Sequence, residues 1–397
     1  AATNHQEIRL PGKLQASSGV RNLFILMASV GLLSMVVAWM QDPKVFWPAF
    51  VHNHFYFLSL ALGGLFFAVI QWVTSAMWSA PVRRLAEAFT SFLPWILVST
   101  CVLYFGLKDL YIWTDAARVQ GDLILSHKTG YLNSGFFMVR LLVAVVVWIV
   151  FARVMIGNSI RQDETKDAGL TAKNRTWGPL FLILFAVSFT FTSFDLIMSL
   201  DPYWFSTMFG VYCFAGLFYS TLALLAIVTI AMRRKGMLDG ILNENHLHDL
   251  GKFMFAFTVF WAYIGFSQFM LIWYANMPEE TGYFIHRLTP AWKPVSAFLM
   301  FGKFFVPFFL LLPRGNKRSE KVLWNVAWFM LAAQWIDVMW MVQPEFYSAP
   351  KLSWVDLGAF VGFAGLFGLS VIRFLSKHSV VAVGDPKLAE SIYHHHQ

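Results

Sequence analysis

The sequence predicts an all-α integral membrane protein with ten transmembrane helices, arranged as two parallel-repeat four-helix bundles plus flanking first and tenth helices. Three observations support this prediction. Hydrophobic residues make up 58% of the 397 residues and charged residues only 13%, whereas a soluble domain carries about 25% charged residues. Ten apolar runs are long enough to cross a bilayer. Four of these runs are echoed, in the same order, by four others.

The ten spans are predicted from the length of the apolar runs. A spanning helix needs about 20 predominantly apolar residues, because the hydrocarbon core of a bilayer is about 30 Å thick. Gly and Pro within such runs are compatible with helices in a membrane. The runs lie at 22–41, 49–76, 88–113, 131–156, 177–200, 205–232, 249–274, 291–313, 322–343 and 354–376.

The positions of Lys and Arg predict the orientation. Twenty of the 30 lie in the two tails and the even-numbered loops, seven lie on the opposite side, and three lie within the spans. Because basic residues are enriched on the cytoplasmic side, both termini are expected in the cytoplasm. The net charge of +8 therefore reflects short loops and does not indicate a nucleic-acid site.

An internal repeat relates the second to fifth runs to the sixth to ninth. LALGGLFFAVI (60–70) matches CFAGLFYSTLA (213–223), YFGLKDLYIW (104–113) matches YIGFSQFMLIW (263–273), and SGFFMVRLL (134–142) matches SAFLMFGKFF (296–305). Parallel repeats about an axis along the membrane normal occur in transport proteins. The predicted divisions are 1–48 (tail and first helix), 49–204 (first bundle), 205–347 (second bundle) and 348–397 (tenth helix and tail).

The fourth pair of matching helices carries an acidic residue inside an apolar run. SFDLIMSLDPYW (193–204) and WIDVMWMVQPEF (335–346) each place an Asp seven positions before a turn Pro, at Asp195 and Asp337. A carboxylate in a lipid-spanning helix is costly and marks a functional-site candidate. The repeat also aligns Arg140 with Lys303, so each bundle is predicted to hold one cation and one carboxylate.

Further polar residues near these charges complete the set of quinone-site or proton-path candidates. Histidine and carboxylate groups can take up protons when a quinol is oxidised, once the site shifts their titration. The full set is His52, His54, Asp109, Arg140, Asp195, Lys252, Gln268, Lys303, Gln334 and Asp337.

Structural roles are the alternative for each candidate. The two charge pairs would then lock helices together, and His52 and His54 would lie at headgroup level or against a partner subunit. Lys252 would extend its ammonium toward the membrane surface and pair with Asp249. The glutamines would serve as hydrogen-bonding links between helices.

Redox cofactors and metals are not expected in this chain. It has two Cys, Cys101 and Cys213, and no CxxCH haem-attachment motif. A haem between helices usually needs axial ligands such as His. His52 and His54 are the only histidines clearly inside or at the edge of a predicted span, and both lie on one helix. The chain is therefore expected not to carry electrons across the membrane by itself.

Two long segments resemble a known family. SFDLIMSLDPYWFSTMFGVYCFAGLF (193–218) and DLGKFMFAFTVFWAYIGFSQFMLIWYANMPEE (249–280) resemble signature segments of the membrane subunits of bacterial alternative complex III. Those subunits belong to the wider NrfD/polysulfide-reductase membrane-anchor family. The complex has two such homologous subunits, C and F, and the compact length of this chain is closer to that of the F subunit.

The resemblance implies a role in menaquinol oxidation, with electrons delivered to cytochrome c or to a terminal oxidase. The expected location is the bacterial inner membrane, among lipids. The expected partners are a homologous quinol-binding membrane subunit, a periplasmic iron–sulfur subunit and c-type cytochrome subunits. Those partners would hold the iron–sulfur clusters and haem c, while this chain would act as scaffold and proton path.

Two other function classes compete with this expectation. A secondary transporter would suit the parallel repeat and the buried charges. Against it, no run shows the mid-helix Gly/Pro break that marks a substrate site in such proteins, since Pro94 and Pro307 are isolated. A purely structural membrane anchor, without quinone or proton traffic, is the third class.

Overall fold

The computed structural model describes residues 11–393, so Arg9 and the terminal histidines His394, His395 and His396 lie outside the description. The described chain is helical, with no strand between residues 11 and 393. Ten helices in that range are long and apolar enough to cross a membrane, which confirms the predicted fold class and number of spans. They are α1 (Ser18–Gln41), α2 (Pro43–Val73), α3 (Ala80–Leu110), α4 (Ser134–Thr165), α5 (Ala168–Leu200), α6 (Phe209–Arg234), α7 (Glu244–Ala275), α8 (Lys293–Leu311), α9 (Glu320–Glu345) and α10 (Trp354–Lys377).

Several helices begin earlier than the apolar runs predict. α2 begins at Pro43 because Asp42 caps it, accepting a hydrogen bond from the Lys44 backbone N–H at 3.1 Å. Proline is well suited to the first helical position, where its missing N–H has no partner to lose. α3 begins at Ala80, and its first turns carry charged residues that a hydropathy pattern assigns to the loop.

Those charges at the start of α3 are buried. Arg83 and Arg84 are 3% and 0% exposed, and Glu87 is 0% exposed. Glu87 lies 3.5 Å from Arg83 and 3.0 Å from Arg84, while Arg84 also contacts Asp163 at 2.7 Å. Because the charges neutralise one another, the helix continues through them.

The contacts between helices follow the predicted repeat. Within the first bundle, α2 packs on α3 and α5, and α4 packs on α3 and α5. Within the second, α6 packs on α7 and α9, and α8 packs on α7 and α9. Between the bundles, α2 packs on α6. The last helix of each bundle also packs on the first helix of the other, since α5 contacts α6 and α9 contacts α2. A parallel two-fold repeat requires this exchange of partners between the two bundles.

The two helices at equivalent central positions, α2 and α6, are the most enclosed, each with 83% of its most apolar window buried. The two flanking helices, α1 and α10, lie to one side of the bundles. α1 packs along α10, and α10 packs on α2 and α3 of the first bundle. A Cβ at Gly31 would collide with the Gly362 backbone, so glycine is needed for this close approach of α1 to α10.

An even number of spans places both ends of the described chain on one side, here called the terminal face, opposite the distal face. Residues 379–392, here called the strap, cross the terminal face. Arg83 donates to the Asp385 carboxylate, and the Gly384 N–H donates to Asp163 at 2.9 Å. Ser391 lies 3.0 Å from His246 on α7. The strap therefore joins the first bundle to the second.

Candidate functional site

The first buried charge pair joins α4 to α5. Arg140 donates from Nε to Asp195 Oδ2 at 2.9 Å and from Nη2 to Oδ1 at 2.8 Å. Its remaining terminal nitrogen donates to the Tyr131 carbonyl oxygen at 2.9 Å. Asp195 is 1% exposed. This two-point contact between guanidinium and carboxylate is among the stronger charge-assisted arrangements, and it fixes the predicted partners in one place.

The second pair joins α8 to α9 and is part of a larger group, here called the Asp337 cluster. Lys303 Nζ donates to Asp337 Oδ2 and to Gln334 Oε1, both at 2.6 Å. The Tyr212 hydroxyl donates to Asp337 Oδ1 at 2.6 Å, and Trp261 Nε1 donates to Oδ2 at 3.0 Å. Three predicted candidates, Lys303, Gln334 and Asp337, therefore meet in a single site.

The Asp337 cluster is sealed from solvent within the described chain. Lys303 and Asp337 are each 0% exposed. The Lys303 ammonium also lies 3.9 Å from the ring centre of Trp261, a distance at which the ring face attracts a cation. A buried ion pair survives only when hydrogen bonds satisfy its remaining capacity. Tyr212, Trp261 and Gln334 provide those hydrogen bonds.

An irregular helical segment positions Lys303. Phe298–Phe305 forms a π-helix inside α8, followed by an α-helical end that contains Pro307. A π-helical turn widens the helix by one residue, and such turns occur frequently at functional sites. The segment is a mid-span departure from regular helix, which the isolated prolines of the sequence do not reveal.

His52 and His54 belong to neither pair, and both are 0% exposed. Both side chains are therefore enclosed by other parts of the described chain. His52 Nε2 lies 2.9 Å from the Trp335 carbonyl oxygen on α9, and His54 Nδ1 lies 2.8 Å from Ser99 Oγ on α3. The two rings face different helices, as their spacing of two residues predicts.

The tautomer of His52 follows from its partner. A carbonyl oxygen only accepts hydrogen bonds, so Nε2 carries the hydrogen and Nδ1 carries a lone pair. Nδ1 is buried and has no hydrogen-bond partner among the described residues. In His54 it is Nε2 that lacks a partner. Each ring therefore keeps one unused nitrogen inside the protein.

Three other candidates lie apart from the pairs. Lys252 is 46% exposed and contacts Asp249 at 2.6 Å near the terminal face, as its structural alternative predicts. Gln268 donates to Ser206 Oγ at 2.8 Å near the distal face. Asp109 is half-buried and makes no hydrogen bond or ion pair with residues 11–393.

The aromatic partners of the pairs were not among the candidates. Tyr212 and Trp261 lie in apolar runs, where aromatic residues are usually packing or interfacial residues. The available signal was the position of Tyr212 within the segment 193–218. Tyr131, Tyr283 and Arg287 lie in the distal connections. Arg287 is 0% exposed and contacts Glu345 at 3.0 Å.

Two cavities open between the spans. The larger, of about 670 Å³, lies between α2, α8, α9 and α10 and is lined by Tyr56, Phe298, Trp335 and other apolar residues. The smaller, of about 370 Å³, lies between α1, α2, α3 and α10 and includes Trp47 and Ser99. Both are of the size and apolar character that suit a hydrophobic ligand.

Within residues 11–393, no group of three or more His, Cys, Asp or Glu side chains is placed to hold a metal ion. The chemistry that the arrangement offers is proton exchange at two buried pairs and apolar binding in two crevices. No protein-family model matches the chain, and no curated protein matches it.

Proposed function

We propose that the chain is the F-type membrane subunit of a quinol oxidoreductase, alternative complex III, and that its buried pairs carry protons across the membrane. The observation that supports this proposal is the placement of one cation–carboxylate pair in each four-helix bundle, on corresponding helices. A protein that needed only helix-to-helix attachment could use apolar packing, which is often no less stabilising than a buried ion pair.

The Asp337 cluster has the chemistry of a proton carrier. A proton can pass from the Lys303 ammonium to the Asp337 carboxylate along their 2.6 Å contact. The resulting amine and carboxyl group are both neutral, so no uncompensated charge stays buried. The carboxyl group then releases its proton on the distal side, and the amine is protonated again from the terminal side.

The first bundle differs, because arginine stays protonated in proteins. When Asp195 takes up a proton, the Arg140 guanidinium therefore stays charged and loses its counter-charge. Arg140 is the less enclosed of the two cations, with 13% of its side chain exposed. In the first bundle, therefore, only the Asp195 carboxylate exchanges a proton, whereas in the second bundle both members of the pair do.

Quinol would bind in the larger cavity, between the two bundles. Tyr56 and Trp335 line this cavity, and His52 packs behind Trp335 with ring centres 4.5 Å apart. Electrons would leave through haem c and iron–sulfur clusters on partner subunits.

The proposed setting follows from the charge distribution. The terminal face would be cytoplasmic and the distal face periplasmic, in a bacterial inner membrane. The proposed partners are the homologous quinol-binding subunit, the iron–sulfur subunit, the c-type cytochromes and a terminal oxidase.

Secondary transport is the second candidate, and one observation favours it. The π-helix at Phe298–Phe305 is a mid-span irregularity beside a buried cation, which weakens the sequence argument against a transporter. Transporters of parallel-repeat type place their substrate sites at interrupted helices. A structural anchor is the third candidate function. If the chain is only an anchor, neutralising the two buried charge pairs should cause no loss of activity.

Purification in mild detergent separates these candidates. A subunit of a quinol oxidoreductase should co-migrate with haem c and iron–sulfur proteins, whereas a transporter should run alone. In the purified complex, the Asp337→Asn variant should lose proton release that accompanies quinol oxidation. Full turnover and proton release with both Asp195 and Asp337 replaced by Asn would overturn the proposal.

A further inference from the structure

A tyrosine lies on the distal side of each buried pair. Tyr131 belongs to the connection between α3 and α4, and Tyr283 to the short helix Pro278–Arg287 between α7 and α8. Both hydroxyl oxygens are buried, and that of Tyr283 makes no hydrogen bond with residues 11–393. A buried hydroxyl without a partner is uncommon in a native structure and requires an explanation.

Tyr131 covers the first pair. The Arg140 guanidinium carbon lies 3.7 Å from the centre of the Tyr131 ring. The Tyr131 hydroxyl is also a side-chain hydrogen-bonding neighbour of the Asp195 carboxylate. The hydroxyl therefore lies beside the pair.

Tyr283 holds the same position over the second bundle. Its ring is stacked on Trp204 with centres 3.9 Å apart, and the Arg287 guanidinium carbon lies 3.4 Å from its centre. These contacts fix the ring and leave the side chain 5% exposed. The hydroxyl plays no part in either contact, so stacking does not explain why the residue is tyrosine.

The Tyr283 ring packs against Trp340 on α9 with ring centres 6.0 Å apart, and Trp340 lies three residues beyond Asp337 toward the distal face. Arg287, which covers the Tyr283 ring, contacts Glu345 at 3.0 Å. Glu345 is half-buried at the distal end of α9. Tyr283 therefore lies on the distal side of the Asp337 cluster, next to a guanidinium that contacts Glu345.

The two tyrosines do not correspond in the sequence repeat. Tyr131 precedes Arg140 by nine positions, whereas Tyr283 precedes Lys303 by twenty. In the first bundle one arginine both pairs with the carboxylate and covers the tyrosine. In the second bundle, Lys303 pairs with the Asp337 carboxylate and a different residue, Arg287, covers Tyr283. The same arrangement is therefore built twice from different residues, which a shared packing history does not explain.

We propose that the hydroxyls of Tyr131 and Tyr283 are the distal relays through which protons leave Asp195 and Asp337. This inference rests on the proposed function, in which those carboxylates carry protons. It adds the exit step, which the buried pairs alone do not provide.

The relay conserves atoms and moves no electrons. As the Asp337 carboxyl group releases its proton, directly or through one water, the Tyr283 oxygen accepts it. The Tyr283 oxygen gives its own hydrogen to the Glu345 carboxylate, so tyrosine is neutral before and after. Burial raises the pKa of Tyr283 above its ordinary value, so both proton movements occur together rather than through a phenolate.

Phenylalanine substitution tests the role of the hydroxyl separately from that of the ring. Tyr283→Phe keeps the stacking on Trp204 and the contact with Arg287 while removing the one unpartnered oxygen. A matched control is Tyr263→Phe, because Tyr263 lies on α7 with 65% of its surface exposed. The intact complex, reconstituted in liposomes, is supplied with a menaquinol analogue, and proton release is timed with a pH-sensitive dye.

Tyr283→Phe should slow proton release at least tenfold, whereas Tyr263→Phe should stay within twofold of the unmodified complex. Tyr131→Phe should slow release through the first bundle. Thermal stability of Tyr283→Phe should not fall, because an unsatisfied hydroxyl has been removed. A structural role for the hydroxyl would instead lower stability and leave the release rate unchanged.

Asp337→Asn is measured in parallel to separate two kinds of failure. If Asp337→Asn leaves proton release intact, the proposed function is overturned, and this inference is overturned with it. If Asp337→Asn abolishes release while Tyr283→Phe and Tyr131→Phe release protons at the unmodified rate, only the relay is overturned.

Discussion

Neutralising Asp337 is the sharpest test of the Asp337 cluster, because Asn has nearly the shape of Asp but no charge. The carboxylate is 0% exposed and accepts from Lys303, Tyr212 and Trp261 at 2.6 to 3.0 Å. In the Asp337→Asn variant, the Lys303 ammonium stays buried without its counter-charge. Removing one partner of a buried pair costs about 3–5 kcal/mol. That cost lowers the folded-to-unfolded ratio by a factor of roughly 150 to 4,000, at about 1.4 kcal/mol per tenfold.

The free energy of unfolding can be measured by titrating the protein in mixed micelles with a denaturing detergent and following tryptophan fluorescence. Asp115→Asn is the matched control, because Asp115 forms an exposed pair with Arg118 at 3.6 Å. Asp115 also caps the short helix Ala116–Gly121, and Asn is as good a helix cap as Asp. Exposed pairs contribute about 0–1 kcal/mol, so this variant should stay within that range of the unmodified protein.

A double substitution tests whether the buried charge is the cause. Lys303→Met combined with Asp337→Asn leaves no charge in the cluster, while Tyr212 can still donate to the amide oxygen. The double variant should be less destabilised than the sum of its two single variants by about 0.5–3 kcal/mol. Strict additivity, or a loss below about 1 kcal/mol for Asp337→Asn alone, would refute the reasoning.

Three further predictions test the fold around the site. Gly31→Ala should destabilise the protein by about 1–3 kcal/mol through overpacking against α10, while Gly157→Ala, with nothing within 4 Å of its added carbon, should not. Arg83→Met removes the guanidinium that holds Asp385 and should speed proteolysis of the strap. The Tyr203 hydroxyl and backbone N–H groups hold the pKa of Asp122 below its ordinary value of 3.8. The contribution of Asp122 to the distal connection is therefore present above that value and is lost as the pH falls through the lower folded pKa. Tyr203→Phe should raise the pH at which pepsin begins to cut residues 116–128.

The number and order of the spans could be predicted because apolar length alone sets them. The ends could not, and α3 shows why. A hydropathy pattern counts Arg83 and Arg84 as solvent-seeking, but the structure provides Glu87 and Asp163 as counter-charges. Asp163 lies on a different helix, so that compensation is invisible along the sequence.

The partners within each pair could be anticipated from the repeat, because two buried charges of opposite sign in one bundle favour contact. The donors around them could not. Tyr212 and Trp261 resemble packing residues until their polar atoms are seen to reach Asp337. The complete burial of His52 and His54 could not be predicted either, because it depends on the helices packed around α2.

The π-helix shows a different limit of sequence reasoning. Phe298–Phe305 has the composition of an ordinary apolar helix, in which Gly302 is the one residue of low helix propensity. The widened turn depends on how Lys303 must point to reach both Gln334 and Asp337. A side chain that must meet two partners on another helix can select a backbone irregularity that local propensity does not encode.

The strap also has a consequence for biosynthesis. Arg83 and Asp385 are 302 positions apart, so nearly the whole chain must leave the ribosome before that contact can form. Until then, Arg83 has Glu87 as its counter-charge, which it shares with Arg84. The contact therefore forms only after residue 385 has been synthesised, and a polypeptide stalled before that point would leave the terminal face without the strap and open to quality-control proteases.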